Sequence, residues 1–217
     1  LLEAQMAETG YLTGAQMAGA FQMLRSYDLL WSRLVNEYLL GDRAPMNDLM
    51  AWNADATRMP AKMHSQYLRR LFLNDDLSEG RYPVGGKPVS LSNLTLPMFM
   101  VGTLTDHVAP WRSVFKLHQM SPAEITFALT SGGHNAGIVN PPGNERRRYQ
   151  LLTRPAGGSY VAPEEWLETA PRTQGSWWPA WLEWLKARSG TPAKPPRMGA
   201  GAYKPVGDAP GTYVLEK

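Results

Sequence analysis

Apolar side chains in the first third of the chain recur at helical spacing. One stripe, at positions i, i+3, i+4 and i+7, is formed by Trp31, Leu34, Val35 and Tyr38. It predicts an amphipathic helix with Asp28 as its N-cap and Gly41 as its stop. A helical turn is predicted over 48–52, and another helix over 60–74 with Pro60 at its first position.

Two short apolar runs in the middle of the chain are typical of buried parallel strands. Residues 96–102 and 124–130 are bounded by Gly or Pro, and each is followed by a titratable side chain, Asp106 or His134. Residues 111–120 predict a crossover helix that returns the second strand alongside the first. Because the carboxyl ends of parallel strands meet at one sheet edge, Asp106 and His134 are predicted to lie within hydrogen-bonding distance.

The remainder of the chain predicts loops and short helices. Residues 75–91 predict a loop with one extended piece over 87–91, and the basic run 146–148 is typical of a solvated turn. A short helix is predicted over 163–169, and from Gly190 onward an irregular tail is predicted. The last predicted element is an amphipathic helix, whose apolar stripe is formed by Trp178, Trp181, Leu182 and Leu185. Such a stripe is more typical of core packing than of substrate binding.

Composition narrows the class of protein. A hydrophobic fraction of 43% with 19% charged residues suits a globular chain of 217 residues. No apolar run approaches the ~20 residues of a membrane-spanning helix and no signal peptide is recognisable, which favours a soluble protein. The absence of cysteine excludes disulfides, four histidines do not favour a metal site, and a scattered charge of +3 gives no support for nucleic-acid binding.

Three stretches around these residues resemble a known family. They are Thr-Asp-His-Val-Ala-Pro-Trp at 105–111, Ser-Gly-Gly-His-Asn-Ala-Gly-Ile-Val-Asn-Pro-Pro at 131–142, and Gly-Ser-Trp-Trp-Pro-Ala-Trp at 175–181. They closely resemble the C-terminal half of the polyhydroxyalkanoate synthases, class I in particular, and residues 38–41, 52–57 and 67–69 resemble the same family in the same order. The nucleophile of that family is a cysteine in a Gly-x-Cys-x-Gly elbow, and this chain contains no cysteine.

The resemblance implies an α/β fold, namely the C-terminal part of an α/β-hydrolase fold with its last parallel strands and flanking helices, plus a helical cap region. Residues 1–60 would form the cap region, 61–190 the C-terminal part of the catalytic core, and 191–217 the irregular tail. The chain is then expected to be a C-terminal portion of a longer enzyme. Since α/β-hydrolases present nucleophile, acid and histidine in that order along the chain, Asp106 and His134 fit the second and third places.

The implied activity is polymerisation of (R)-3-hydroxyacyl-CoA into polyhydroxyalkanoate with release of coenzyme A. His134 would be the general base, and Asp106 would either orient His134 or activate the incoming substrate hydroxyl. His107 is a candidate for a supporting hydrogen bond, with a partly exposed structural role as the alternative. The resemblance implies no cofactor, a homodimer, and a cytoplasmic location at the surface of the polyester granule. Two other functions stay open: a non-catalytic module that binds polymer, granule proteins or a synthase subunit, and an ester hydrolase with a serine elbow.

Overall fold

The computed structural model describes residues 2–24, 26–27, 31–42, 45, 52, 58–208 and 211. The chain divides into two compact units, the first formed by Leu1–Asn74 with Pro195–Lys217 and the second by Asp75–Lys194. The predicted N-cap Asp28, and all of the predicted turn over 48–52 except Trp52, lie outside the described residues.

The described part of the first unit contains short helices and a two-stranded antiparallel ladder. Its elements are α1 (Leu2–Thr9), β1 (Tyr11–Leu12), α2 (Gly14–Leu24), β2 (Met59–Pro60) and α3 (Ala61–Tyr67). A π-helix, Leu34–Leu39, lies within the predicted first helix, and a second, Leu68–Leu73, extends α3. The described part of the helix predicted between Asp28 and Gly41 is therefore present, and so is the helix predicted over 60–74, although each is partly π-helical. The expectation that Pro60 is the first helical residue is wrong: Pro60 is the last residue of β2, with an extended ψ of 137°, and the helix begins at Ala61.

Side-chain contacts tie α1 to the helix that begins at Ala61. Glu3 forms a bidentate ion pair with Arg69 at 2.6 and 2.7 Å, and the ring of His64 lies 3.3 Å from the sulfur of buried Met6. Thr13 and Gln16 form a reciprocal capping box at the start of α2. The stripe of Trp31, Leu34, Val35 and Tyr38 is exposed rather than packed into a core.

The second unit is built around a four-stranded sheet. Its elements are β3 (Tyr82–Val84), β4 (Lys87–Val89), β5 (Met98–Thr103), α4 (Trp111–Phe115), α5 (Leu117–Met120), β6 (Ile125–Thr130), β7 (Arg148–Arg154), α6 (Pro163–Thr169), β8 (Arg172–Gln174) and α7 (Trp178–Lys186). Strands β3 and β4 form a separate hairpin whose turn, Gly85-Gly86, has positive φ at both residues. The sheet order is β5-β6-β7-β8.

Only the first pair of strands in this sheet is parallel. Strands β5 and β6 pair in parallel from Met98↔Ile125 to Thr103↔Thr130, whereas β7 and β8 are antiparallel to their neighbours. The expectation that the last strands are parallel is therefore right for β5 and β6 and wrong for the two that follow. Strand β7 begins at Arg148, the last residue of the basic run that was interpreted as a turn. Because β7 is antiparallel to β6, no crossover helix is needed between them. The fold is mixed α/β.

The core of the second unit lies on one face of the sheet. It is formed by Trp111, Phe115, Ile125, Phe127, Leu129, Trp166 and Ala170. Helices α4 and α6 supply the indoles, and β6 supplies three alternating apolar residues to the same face. The predicted crossover between β5 and β6 is present, but it divides into α4 and α5 at Lys116, whose N–H bonds the carbonyl three residues back rather than four.

Helix α7 covers the opposite face. Phe99 points away from the core, and its ring contacts Trp177 at 6.1 Å and Trp184 at 5.7 Å between centroids. The contact between this helix segment and the sheet is therefore made by Trp177 and Trp184, not by the predicted stripe. Trp181, a member of that stripe, is 40% exposed. Residues 191–208 contain neither helix nor strand apart from an isolated bridge. In the described ranges, no helix combines the length and the apolar character needed to cross a bilayer.

Candidate active site

Asp106 lies in a tight turn just beyond the end of β5. The ladder continues past the strand, since the N–H groups of Leu104 and Thr105 donate to the carbonyls of Thr130 and Gly132 at 2.9 and 3.1 Å. In the turn that follows, the Asp106 carboxylate accepts hydrogen bonds from the backbone N–H groups of Val108 and Ala109, both at 2.8 Å.

The hydroxyl group of Thr103 provides a third contact to the Asp106 carboxylate. It donates to Oδ2 at 3.3 Å, while the two backbone N–H groups donate to Oδ1. The Asp106 side chain is 7% exposed. Its position is therefore fixed by the strand end and the turn that carry it.

His134 is brought to Asp106 by the loop that follows β6. Thr103 and Thr130, the last residues of β5 and β6, are opposite one another in the parallel register, so both loops leave the same edge of the sheet. The Nδ1 atom of His134 lies 2.9 Å from Oδ2 of Asp106. The contact predicted from the sequence is present.

The electrostatics of this pair are asymmetric. Burial alone would raise the pKa of Asp106, but hydrogen bonds from the Ala109 N–H, His134 and the Val108 N–H outweigh it and lower the pKa to about 2. An ionised carboxylate can only accept, so Nδ1 of His134 must carry the shared proton. In the neutral imidazole the acceptor nitrogen is then Nε2, on a side chain that is 45% exposed. The pair can take a proton from a group that approaches from solvent.

The loop carrying His134 packs against the residue that holds Asp106. The N–H of Gly137 donates to the Gly133 carbonyl at 3.0 Å, which closes a single turn around His134. A Cβ on Gly137 would lie 2.5 Å from the methyl group of Thr103. Only glycine allows this close approach, and the same threonine therefore supports both members of the pair.

Known proteins resemble the chain over its whole length. It is 41% identical over 217 residues to the poly(3-hydroxyalkanoate) polymerase subunit PhaC of Rhizobium etli, covering all of this chain and 33% of that protein. It is 43% identical over 218 residues to the poly(3-hydroxyalkanoate) polymerase of Methylorubrum extorquens, covering all of this chain and 35% of the relative. The chain belongs to the poly(3-hydroxyalkanoate) polymerase family. It spans about a third of the length of these curated relatives, and no family model matches it.

Three residues of this polymerase-family chain that contact the His134 loop were not predicted as part of the site. Trp177 Nε1 donates to the Gly137 carbonyl at 3.1 Å, and Trp178 Nε1 donates to the Ile138 carbonyl at 3.0 Å. The hydroxyl of Ser176 donates to the Asn140 carbonyl. One feature of the sequence could have pointed to these residues: the stretch 175–181 resembles the family. Its helical stripe, by contrast, indicates only core packing.

The other histidines of the second unit lie in different surroundings. His107, next to Asp106 in the chain, is exposed, and its supporting role stays a prediction. His118 is buried, stacks on Phe115 at 4.0 Å between ring centroids, and bonds the Phe115 carbonyl through Nδ1. Burial lowers the pKa of His118, and a structural role fits this environment.

A cleft of about 170 Å³ opens beside the carboxyl end of β6. Its apolar lining comes from Leu104, Leu129 and Leu167, and its basic lining from Arg148 and Arg172. Neither member of the candidate pair lines it. The residues that line the cleft are therefore adjacent in sequence to Asp106 and His134 but do not include them.

Acid should weaken the folded chain through Asp106. The pKa of this carboxyl falls from an ordinary 3.8 to about 2 on folding. The ionised group therefore stabilises the fold above pH 3.8, and this contribution is lost as the pH falls toward 2. We expect the unfolding free-energy difference between the parent chain and Asp106→Asn to shrink by about 2 kcal/mol across that range in urea titrations. A constant difference would contradict the lowered pKa.

Proposed function

We propose that this chain supplies the general base and its acidic partner to a poly(3-hydroxyalkanoate) polymerase with an α/β-hydrolase type of catalytic domain. The reaction would be polymerisation of (R)-3-hydroxyacyl-CoA with release of coenzyme A. The observation that carries the proposal is the 2.9 Å contact between His134 Nδ1 and a buried, ionised Asp106. The relatives are poly(3-hydroxyalkanoate) polymerases, which supports the class of polymer in this proposal.

The proposed chemistry is acyl transfer through a thioester. Nε2 of His134 accepts the proton of a cysteine thiol, and the thiolate attacks the carbonyl carbon of the acyl-CoA. The bond from that carbon to the coenzyme A sulfur breaks, and the proton on His134 neutralises the departing thiolate. Asp106 stabilises the imidazolium that forms in between. The hydroxyl group of the next hydroxyacyl-CoA then attacks the enzyme thioester: a carbon–oxygen ester bond forms, the bond to the cysteine sulfur breaks, and the hydroxyl proton passes through His134 to the released cysteine thiolate. The product is an acyl chain that is one unit longer and still joined to coenzyme A, and it is loaded onto the cysteine again by the first step.

The nucleophile in this proposal lies outside these residues. The sequence has no cysteine, and the relatives are about three times as long as the chain. An elbow cysteine on the remaining part of a polymerase would complete the set, whereas a serine there would favour the alternative of an ester hydrolase. Assembly as a homodimer at the surface of a cytoplasmic polyester granule, which the family resemblance implies, belongs to the same proposal.

A non-catalytic binding module is the second candidate. The exposed aromatic side chains of the first unit, including Trp31, Tyr38 and Phe72, favour it because they offer apolar surface for a polymer or protein. The Asp106 carboxylate is better explained by acyl transfer. A binding module has no need for an ionised carboxylate buried against a histidine, since burying such a charge is costly.

The isolated chain should release no coenzyme A from 3-hydroxybutyryl-CoA, because it has no thiol to accept the acyl group. A hybrid in which it replaces the aligned third of the Rhizobium etli polymerase should release coenzyme A and make polymer. Thiol release is measured with a colorimetric reagent, with the same hybrid lacking its elbow nucleophile as the control. Sustained release by the isolated chain, or a folded hybrid without activity, would contradict the proposal.

A further inference from the structure

Three consecutive residues before and at the start of α7 hold the loop that follows His134. Ser176, Trp177 and Trp178 donate side-chain hydrogen bonds to the carbonyls of Asn140, Gly137 and Ile138. The backbone N–H of Trp178 also donates to the Ser176 hydroxyl at 3.1 Å, which fixes that hydroxyl in place. We call Ser176, Trp177 and Trp178 the loop clamp.

The loop clamp connects His134 to the strand that carries Asp106. Trp177 is 6% exposed, and its ring stacks on Phe99 of β5 at an interplanar angle of 26°. Phe99 lies four residues before Thr103, which supports Asp106 and packs against Gly137. Both members of the pair are thus positioned relative to β5, Asp106 through the backbone and His134 through Trp177.

His134 depends on this support more than Asp106 does. The Asp106 carboxylate accepts two hydrogen bonds from the backbone of its own turn. The His134 side chain is 45% exposed, and a single hydrogen bond, through Nδ1, joins it to Asp106. A loop free to shift by about 1 Å would lose that bond in part of the population, and misplacement on this scale is costly to catalysis.

We propose that the indole N–H groups of Trp177 and Trp178 are positioning groups that keep His134 in the Nδ1–H tautomer facing Asp106. The inference rests on the proposed function for its effect on turnover, but its effect on the imidazole is independent of any activity. Without the Trp177 N–H, the Gly137 carbonyl, which is part of this loop, loses its hydrogen-bond donor. We expect the loop then to move away from Thr103.

Trp184 provides a matched control for Trp177. Its ring contacts the same Phe99 at 5.7 Å, and its Nε1 is buried without a hydrogen-bond partner among the described residues. Replacing either tryptophan by phenylalanine removes an indole N–H from the same aromatic cluster. Only at Trp177 does this change also remove a hydrogen bond to the loop.

The primary measurement is ¹⁵N NMR of the histidine rings in the full 217-residue chain, which contains four histidines. The parent chain and Trp184→Phe should show His134 as the Nδ1–H tautomer, and Trp177→Phe should show a mixture of tautomers. Equal spectra for the two variants would overturn the proposal. If Trp177→Phe does not fold, Trp178→Phe, at a partly exposed site, replaces it with the same expected result.

Kinetics in the hybrid polymerase give the second measurement. Trp177→Phe should lower kcat about tenfold, as expected for a lost hydrogen bond of ordinary strength, and leave KM unchanged. Trp184→Phe should leave both constants near the parent values. A change in KM alone would overturn the positioning role. A hybrid without activity would count against the proposed function, while the NMR comparison would still decide the role of the loop clamp.

Discussion

Replacing His134 by glutamine is expected to lower the rate of cysteine acylation in the hybrid polymerase by about 10²–10⁴-fold. Glutamine has a similar size but no nitrogen that can accept the proton of a thiol. The reaction is measured as single-turnover loading of a labelled hydroxyacyl group onto the enzyme. His64→Gln, in the first unit, is the control and should retain most of the loading rate.

The exposure of His134 allows a sharper version of this experiment. His134→Ala leaves a space at a side chain that is 45% exposed in the parent, so added imidazole can reach the carboxylate of Asp106. Partial recovery of loading with rising imidazole concentration is expected if the missing function is proton transfer. Full loading by His134→Gln without imidazole would exclude His134 as the base.

The contact between Asp106 and His134 was predictable because two independent signals agree. Each follows a short apolar run typical of a buried strand, and the length between the runs accommodates a helical crossover. In a parallel pair these features are sufficient to place both loops at one edge, and the register from Met98↔Ile125 to Thr103↔Thr130 does so. The family resemblance contributed the roles of the two residues, not their proximity.

Strand β7 was not predictable by the same argument. Its sequence, Arg-Tyr-Gln-Leu-Leu-Thr-Arg, contains no continuous apolar run, because most of its residues are only partly buried. The charged residue at its start resembles a solvated turn when it is considered alone. Its pairing with β6 is decided by tertiary contacts, such as the Thr126 and Thr153 hydroxyl groups at 2.9 Å, which leave no periodic signal in the sequence.

The loop clamp shows a second limit of periodicity. The stripe that begins at Trp178 predicted α7 correctly, but the most buried indole of this segment is Trp177, which precedes the helix. The other indole that contacts Phe99, Trp184, lies seven residues later, about two helical turns away. Hydrogen bonds from indoles to loop carbonyls depend on where two distant segments meet, so spacing along one helix cannot predict them.

Asp106→Asn is expected to stop the polymerase at the same stage as His134→Gln. The asparagine oxygen can still accept from the N–H groups of Val108 and Ala109, but its amide group then donates to His134 Nδ1. This places the imidazole proton on Nε2 and removes the base, so loading should fall by about 10²–10⁴-fold.

The alternative role for Asp106, direct activation of the incoming hydroxyl, predicts a different result for the same variant. Loading would then persist in Asp106→Asn, and only chain growth would stop. The structure favours loss of loading in both variants. The Asp106 carboxylate is 7% exposed, and both of its oxygens already accept hydrogen bonds, from the turn, Thr103 and His134. Single-turnover loading followed by polymer length analysis separates the two roles: equal loss of loading in both variants supports the orienting role, and loading retained only in Asp106→Asn assigns the carboxylate to the hydroxyl group.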